Sequence, residues 1–246
     1  MQCKSTSGNC KFLLYFKCLI QFIFIKELCV KYFMNYISIN EIKAWDRFYR
    51  ANFVNCLSGF KPVSLIGTIN EEHKPNLAIF SNIIHLGSDP ALIGFINRPL
   101  AASPHTIANI ETTKQFTINH IQSSFISKAH QTSAKYETGI NEFEETGLTA
   151  IYRDNFNAPF VAESNIQFAL ELVEIISIKH NGTFMVIGSL KDVYLDKELV
   201  LNDGFIDIQK NGSLVSLGID AYYSCLPVER FGYAKVNTEP AKKQIV

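Results

Sequence analysis

Apolar and polar positions along these 246 residues follow more than one period, and the period changes at turn-forming residues. Residues 42–53 space Ile42, Trp45, Phe48, Tyr49 and Phe53 three or four apart, which predicts a short amphipathic helix. From residue 62 onward the pattern turns to strands, at 62–69, 76–81 and 91–96, with Asn70-Glu71-Glu72-His73-Lys74 as a polar hairpin connection. Ser103-Pro104 predicts a helix start, with Ser as cap and Pro in the first turn, for a helix ending near Thr113. A strand over 115–121 follows, and Ser123-Ser124 opens a second helix reaching about residue 134. Two long strands, 166–179 and 183–194, flank His180-Asn181-Gly182, and Asn-Gly is a strong hairpin signal. A second Asn-Gly at 211–212 precedes a further apolar run at 213–220. Residues 135–164 keep no period and read as a long, irregular polar segment, of a length that points to function or to an interface. These elements predict a mainly β, antiparallel barrel with a few flanking helices.

One stretch breaks its own pattern. Asn76, Ala78, Ser81 and Asn82 interrupt an apolar strand, and Gly87-Ser88-Asp89-Pro90 separates it from the next. Strands pack best with β-branched and aromatic side chains. Small side chains with free amides and hydroxyls at a strand end suit either a planar ligand that approaches closely or an edge strand entering a polar turn.

Composition changes the picture mainly at the N-terminus. With 47% hydrophobic and 19% charged residues the chain is globular in type. Its net charge of zero hides a basic segment at 1–33, with five Lys and one Glu, and a body of 18 basic and 22 acidic residues. A mildly acidic body gives no case for a nucleic-acid partner. Residues 12–25 are apolar and basic-flanked, but Lys17 and Gln21 break them and they fall short of the ~20 apolar residues of a membrane span. The organisation expected is an N-terminal extension at 1–33, one domain over 34–235 and a polar tail at 236–246. The extension reads either as a start-site error, with Met34 as the true start, or as a membrane-targeting segment. Cys56 and Cys225, the body's two cysteines, have no CxxC spacing and suit a reducing cytoplasm.

Familiar catalytic patterns are missing. The six histidines show no metal-ligand spacing, and no G-x-S-x-G elbow, P-loop or G-x-G-x-x-G fingerprint occurs. No metal ligand and no catalytic acid or base is therefore named.

Four segments in order carry a resemblance: residues 58–68, Pro75-Asn76-Leu77-Ala78-Ile79-Phe80-Ser81, His105 to Asn119, and Thr132-Ser133-Ala134 with residues 142–149. Together, over about residues 52–223, the chain resembles the flavin reductase-like family. The resemblance implies an antiparallel Greek-key FMN-binding split barrel, FMN as cofactor and NAD(P)H as transient electron donor. It implies hydride transfer from NAD(P)H to flavin, or alternatively a flavoredoxin-type electron carrier reduced by a partner protein, or a barrel that has lost flavin. A homodimer is implied, with a downstream acceptor that is an oxygenase, a metal complex or free flavin. Implied cofactor-binding residues are Asn76 and Ala78 for the ring, and Ser81, Asn82, Ser88, Arg98, Ser103 and Thr106 for phosphate and ribityl. A helix N-terminus with unpaired N–H groups suits the phosphate. Two departures stand out: Glu142 where some relatives have Lys, and Thr183 where many have His.

Overall fold

The computed structural model describes residues 34–102, 104–137, 139–153 and 156–243, so the extension at 1–33 and Ser103 lie outside the described residues. By internal contacts the chain divides after Arg50.

In the first unit, the one helix expected over 42–53 is two: α1 (Ile39–Ala44) and α2 (Arg47–Leu57), which runs on past the division. The break comes from Asp46, whose carboxylate accepts the backbone N–H of Phe48 (2.8 Å) and of Tyr49 (3.2 Å). An Asp that caps the following turn competes with continuing the preceding one. Those N–H groups hold the Asp46 carboxyl below its usual range.

The second unit is built on one seven-stranded sheet. Its strands are β2 (Ser64–Ile69), β3 (Pro75–Phe80), β4 (Ile83–Ser88), β5 (Ala91–Asn97), β6 (Gln115–His120), β9 (Ile166–Ile178) and β10 (Thr183–Leu195). They run in the order β3-β2-β6-β9-β10-β5-β4, and every neighbouring pair is antiparallel. β3 and β4 are its edges. The His180-Asn181-Gly182 hairpin forms as expected, with Gly182 at φ 71°. The β9–β10 register shifts at Ile187/Gly188 and at Leu190/Asp192, and such bulges bend long strands into barrel curvature. At the first, a Cβ on Gly188 would meet the Phe116 ring at 2.6 Å, so only Gly fits.

The remaining strands are β1 (Lys61–Pro62), β7 (Ala150–Arg153), β8 (Phe156–Val161), β11 (Val215–Leu217), β12 (Ala221–Tyr223), β13 (Arg230–Phe231) and β14 (Lys242–Lys243). β1, β11 and β12 form a small sheet, and β13 pairs with β14. Helices α3 (His105–Thr113), α4 (Ile126–Gln131) and α5 (Glu142–Thr146) flank the sheet, with a 3₁₀ turn at Ser123–Phe125 before α4.

The hairpin β7–β8 lies over β6 and β2 without joining their ladder. Side chains of β6 make the join instead. Thr117 Oγ1 donates to the Pro159 carbonyl (2.6 Å). Asn119 Oδ1 accepts the Val161 N–H (3.0 Å), while its Nδ2 donates to the Leu65 carbonyl (3.2 Å). Gly67 lets the hairpin come this close, since a Cβ there would stand 2.2 Å from the Pro159 oxygen. The main core, with Ile66, Phe95, Phe116, Ile118 and Leu170 fully enclosed, sits within the curved sheet.

Residues 135–164 are therefore not the irregular segment their composition suggests, since they hold α5, β7 and β8. The elements are short, and β8 contains Pro159, which has no N–H to give a ladder. Among the described residues, no helix is long and apolar enough to cross a membrane.

Candidate functional site

A cleft of about 570 Å³ opens beside the edge strand β3. One wall is β3 itself with Ser81 and Asn82 after it, and a second runs from Ile96 and Arg98 to the start of α3. The third is the segment 132–137 that follows α4. Its size falls in the usual range for small-molecule sites.

The edge of β3 is open on the cleft side. The Leu77 N–H points away from β2 and is accepted by Glu142 Oε2 at 3.0 Å. Strand alternation turns the Ile79 backbone the same way, and Ile79 lines the cleft. Ala78 lines it too, presenting only a methyl group.

The structure gathers five more of the expected residues here, in two different states. Asn76 is 7% exposed, and its Nδ2 donates to Thr68 Oγ1 and Thr106 Oγ1, each at 3.3 Å. Thr106 is 1% exposed, and Asn109 Nδ2 adds a bond to Thr68 Oγ1 at 3.1 Å. This network ties the start of α3 to β2 and β3 beneath the cleft. Asn82 also works within the protein: Nδ2 donates to the Ile96 carbonyl (3.1 Å) and Oδ1 accepts the Ile96 N–H (3.2 Å). Its amide extends the β4–β5 pairing by one step, a strut where the sequence suggested a ligand contact. Ser81 and Arg98, by contrast, have side chains without a protein partner among the described residues.

Ser88 is not gathered with the others. It lies exposed at the β4–β5 turn, its Oγ 3.3 Å from His85 Nε2, and does not line the cleft. The helix starts at His105 with Pro104 at its cap position, and proline offers no side-chain cap bond.

The sequence named no binding residue on the third wall, although Thr132-Ser133-Ala134 carries part of the resemblance. Ser133, Lys135 and Tyr136 line the cleft, and Lys135, like Arg98, has no ion-pair partner among the described residues. Glu137 is the acidic group of this wall. Lys135 gave no signal because it sits in a polar run without periodicity. Glu142 was noted only as a departure, yet burial holds its carboxyl above the usual range, opposed by the Leu77 N–H and by His105.

An antiparallel barrel with a side-chain-bonded hairpin laid over it, and a cleft along an edge strand, is a split-barrel protein. Residues 60–209 match the flavin reductase like domain, and the chain belongs to that family. It is similar to a protein of Shewanella frigidimarina NCIMB 400 assigned as a flavin reductase with split barrel domain, at 44% identity and TM-score 0.79, covering 82% of this chain and 100% of that one. Component B of nitrilotriacetate monooxygenase from Bacillus cereus shares the fold at 19% identity and TM-score 0.69, covering 79% of this chain and 97% of that one. Flavoredoxin of Desulfovibrio vulgaris (Miyazaki F) shares it at 23% identity and TM-score 0.60, covering 73% of this chain and 92% of that one.

Proposed function

We propose that the cleft binds FMN and that the protein passes hydride from NAD(P)H to the flavin. The observation that carries this reading is the meeting, in one cleft, of an open strand edge with two cations, Arg98 and Lys135, that have no side-chain partner among the described residues. A phosphomonoester needs cations and hydroxyl donors, and Arg98, Lys135, Ser81 and Ser133 supply both. A flat ring with carbonyl acceptors needs a backbone donor on its edge, and the outer edge of β3 at Ile79 would supply one. Bound FMN supplies the hydride-accepting chemistry.

The side chains position and shield. Asn76 and Thr106 hold α3 against β3 so that the two walls keep their spacing. Asn82 fixes the β4–β5 end from which Arg98 projects. Phe80, Ile96 and Tyr136 give the cleft apolar surface that limits water. An oxygenase, a metal complex or free flavin would be the acceptor of the electrons that a flavin held by these residues would supply. The same reading carries a homodimer, whose contact would cover exposed apolar side chains such as Val228 and Tyr233, 88% and 96% exposed.

The test is an absorbance spectrum of the full chain before and after FMN, followed by NADH and NADPH without oxygen. A flavin band that bleaches with a nicotinamide is the expected result and names the donor. A band that bleaches only with dithionite would make the protein a carrier, and no band at excess FMN would end the flavin reading.

A further inference from the structure

We propose that Glu142 is a positioning residue of the cleft: its carboxylate fixes the free edge of β3 through the Leu77 amide and lays a negative charge beside the flavin that this edge receives. The inference rests on the reading of the cleft as an FMN site.

Three observations converge. Glu142 is 6% exposed and forms no ion pair with a Lys or Arg among the described residues. Its Oε2 accepts the Leu77 N–H at 3.0 Å, on the side of β3 that Ile79 turns to the cleft two residues on. Its helix is pinned: Asn141 Oδ1 accepts the Phe143 N–H (3.1 Å), Thr146 Oγ1 donates to the Glu142 carbonyl (2.6 Å), and Phe143 is in the core. A glutamine would accept the same bond without burying a charge. Burying an unpaired carboxylate costs more than burying an amide. A charge kept at that cost, beside the wall of a ligand cleft, acts on what the cleft holds.

The surroundings leave that charge little compensated. β3 contributes no titratable side chain. From α4 come Lys128, whose Nζ donates to the Gly147 carbonyl (2.6 Å), and His130, whose Nδ1 lies 2.6 Å from the Tyr222 hydroxyl. The start of α3 brings His105, which lines the cleft and acts on Glu142 electrostatically. The 132–137 segment brings Lys135 and Glu137, and α5 itself adds Glu144 and Glu145.

Two variants of the full chain separate the strut from the charge. Glu142→Gln keeps the acceptor, and Glu142→Leu removes it. In flavin-free protein, the Leu77 amide should exchange with deuterium about tenfold faster in Glu142→Leu and at the wild-type rate in Glu142→Gln. With FMN added, Glu142→Leu should weaken binding by about tenfold. Glu142→Gln should bind FMN like the wild type, but with the midpoint potential of the bound flavin moved positive. That difference should fade as the pH falls and the wild-type carboxyl takes up its proton. Wild-type exchange and FMN affinity in a folded Glu142→Leu would overturn the strut. An unmoved potential in Glu142→Gln at every pH would overturn the charge. A wild type that takes up no FMN would remove the cleft reading and the charge with it, and the exchange data would then judge the strut alone.

Discussion

The seam between β6 and the β7–β8 hairpin and the cleft beside β3 use similar side chains for opposite ends. At the seam, Thr117 and Asn119 are fully buried and their polar atoms meet named partners on β8, on β2 and on each other. In the cleft, Ser81, Ser133, Arg98 and Lys135 meet none among the described residues. Ser81 is half-buried and Arg98, Ser133 and Lys135 are exposed, so their polar ends meet water and stay open to a ligand, whereas the seam's are spent inside the protein. Asn76 and Asn82 stand between the two cases: they line the cleft but are bonded like seam residues.

The largest effect should come from breaking the seam. Asn119→Ala leaves the Val161 N–H and the Leu65 carbonyl without their partner, and urea unfolding should show a loss of about 2–4 kcal/mol. Arg98→Ala and Lys135→Ala should do the reverse, leaving unfolding within about 0.5 kcal/mol of wild type while each weakens FMN about tenfold. Riboflavin, which lacks the phosphate, should bind these two variants and the wild type alike. Equal losses for both ligands would move the phosphate elsewhere in the cleft.

A smaller effect concerns acid. His120 Nδ1 lies 2.9 Å from Ser213 Oγ at the end of β6, and burial lowers its pKa to about 4. A histidine depressed on folding stabilises the protein above its unfolded value of 6.5, and that stability is lost as the pH falls toward 4. Thermal unfolding from pH 7 to 4 should therefore show a decline that His120→Gln flattens. An unchanged slope would mean that the ring is hydrated in solution.

The sheet was legible because its strands are long and its turns carry strong local signals, as at Asn181-Gly182. β7, β8 and α5 were not, because four to six residues hold too little of a period to register. Within the cleft, β3 could be found from its small residues, and so could Arg98. The strut at Asn82 could not, because its partner Ile96 is fourteen positions away and nothing local distinguishes a bonded amide from a free one. Lys135 enters only when the fold brings the segment after α4 against β3. Glu142 stood out as an unusual residue, but its bond to Leu77 spans 65 positions.

Holding the hairpin by side chains rather than by a ladder also bears on how the barrel assembles and comes apart. Thr117 and Asn119 reach partners 42 positions later, so the seam cannot form until the chain between has been gathered in. A strand ladder spreads its attachment over every residue, whereas here a few side chains carry most of it. The hairpin is thus the natural unit of local opening, able to lift while the seven strands stay paired, and the place where a protease would first find an extended chain.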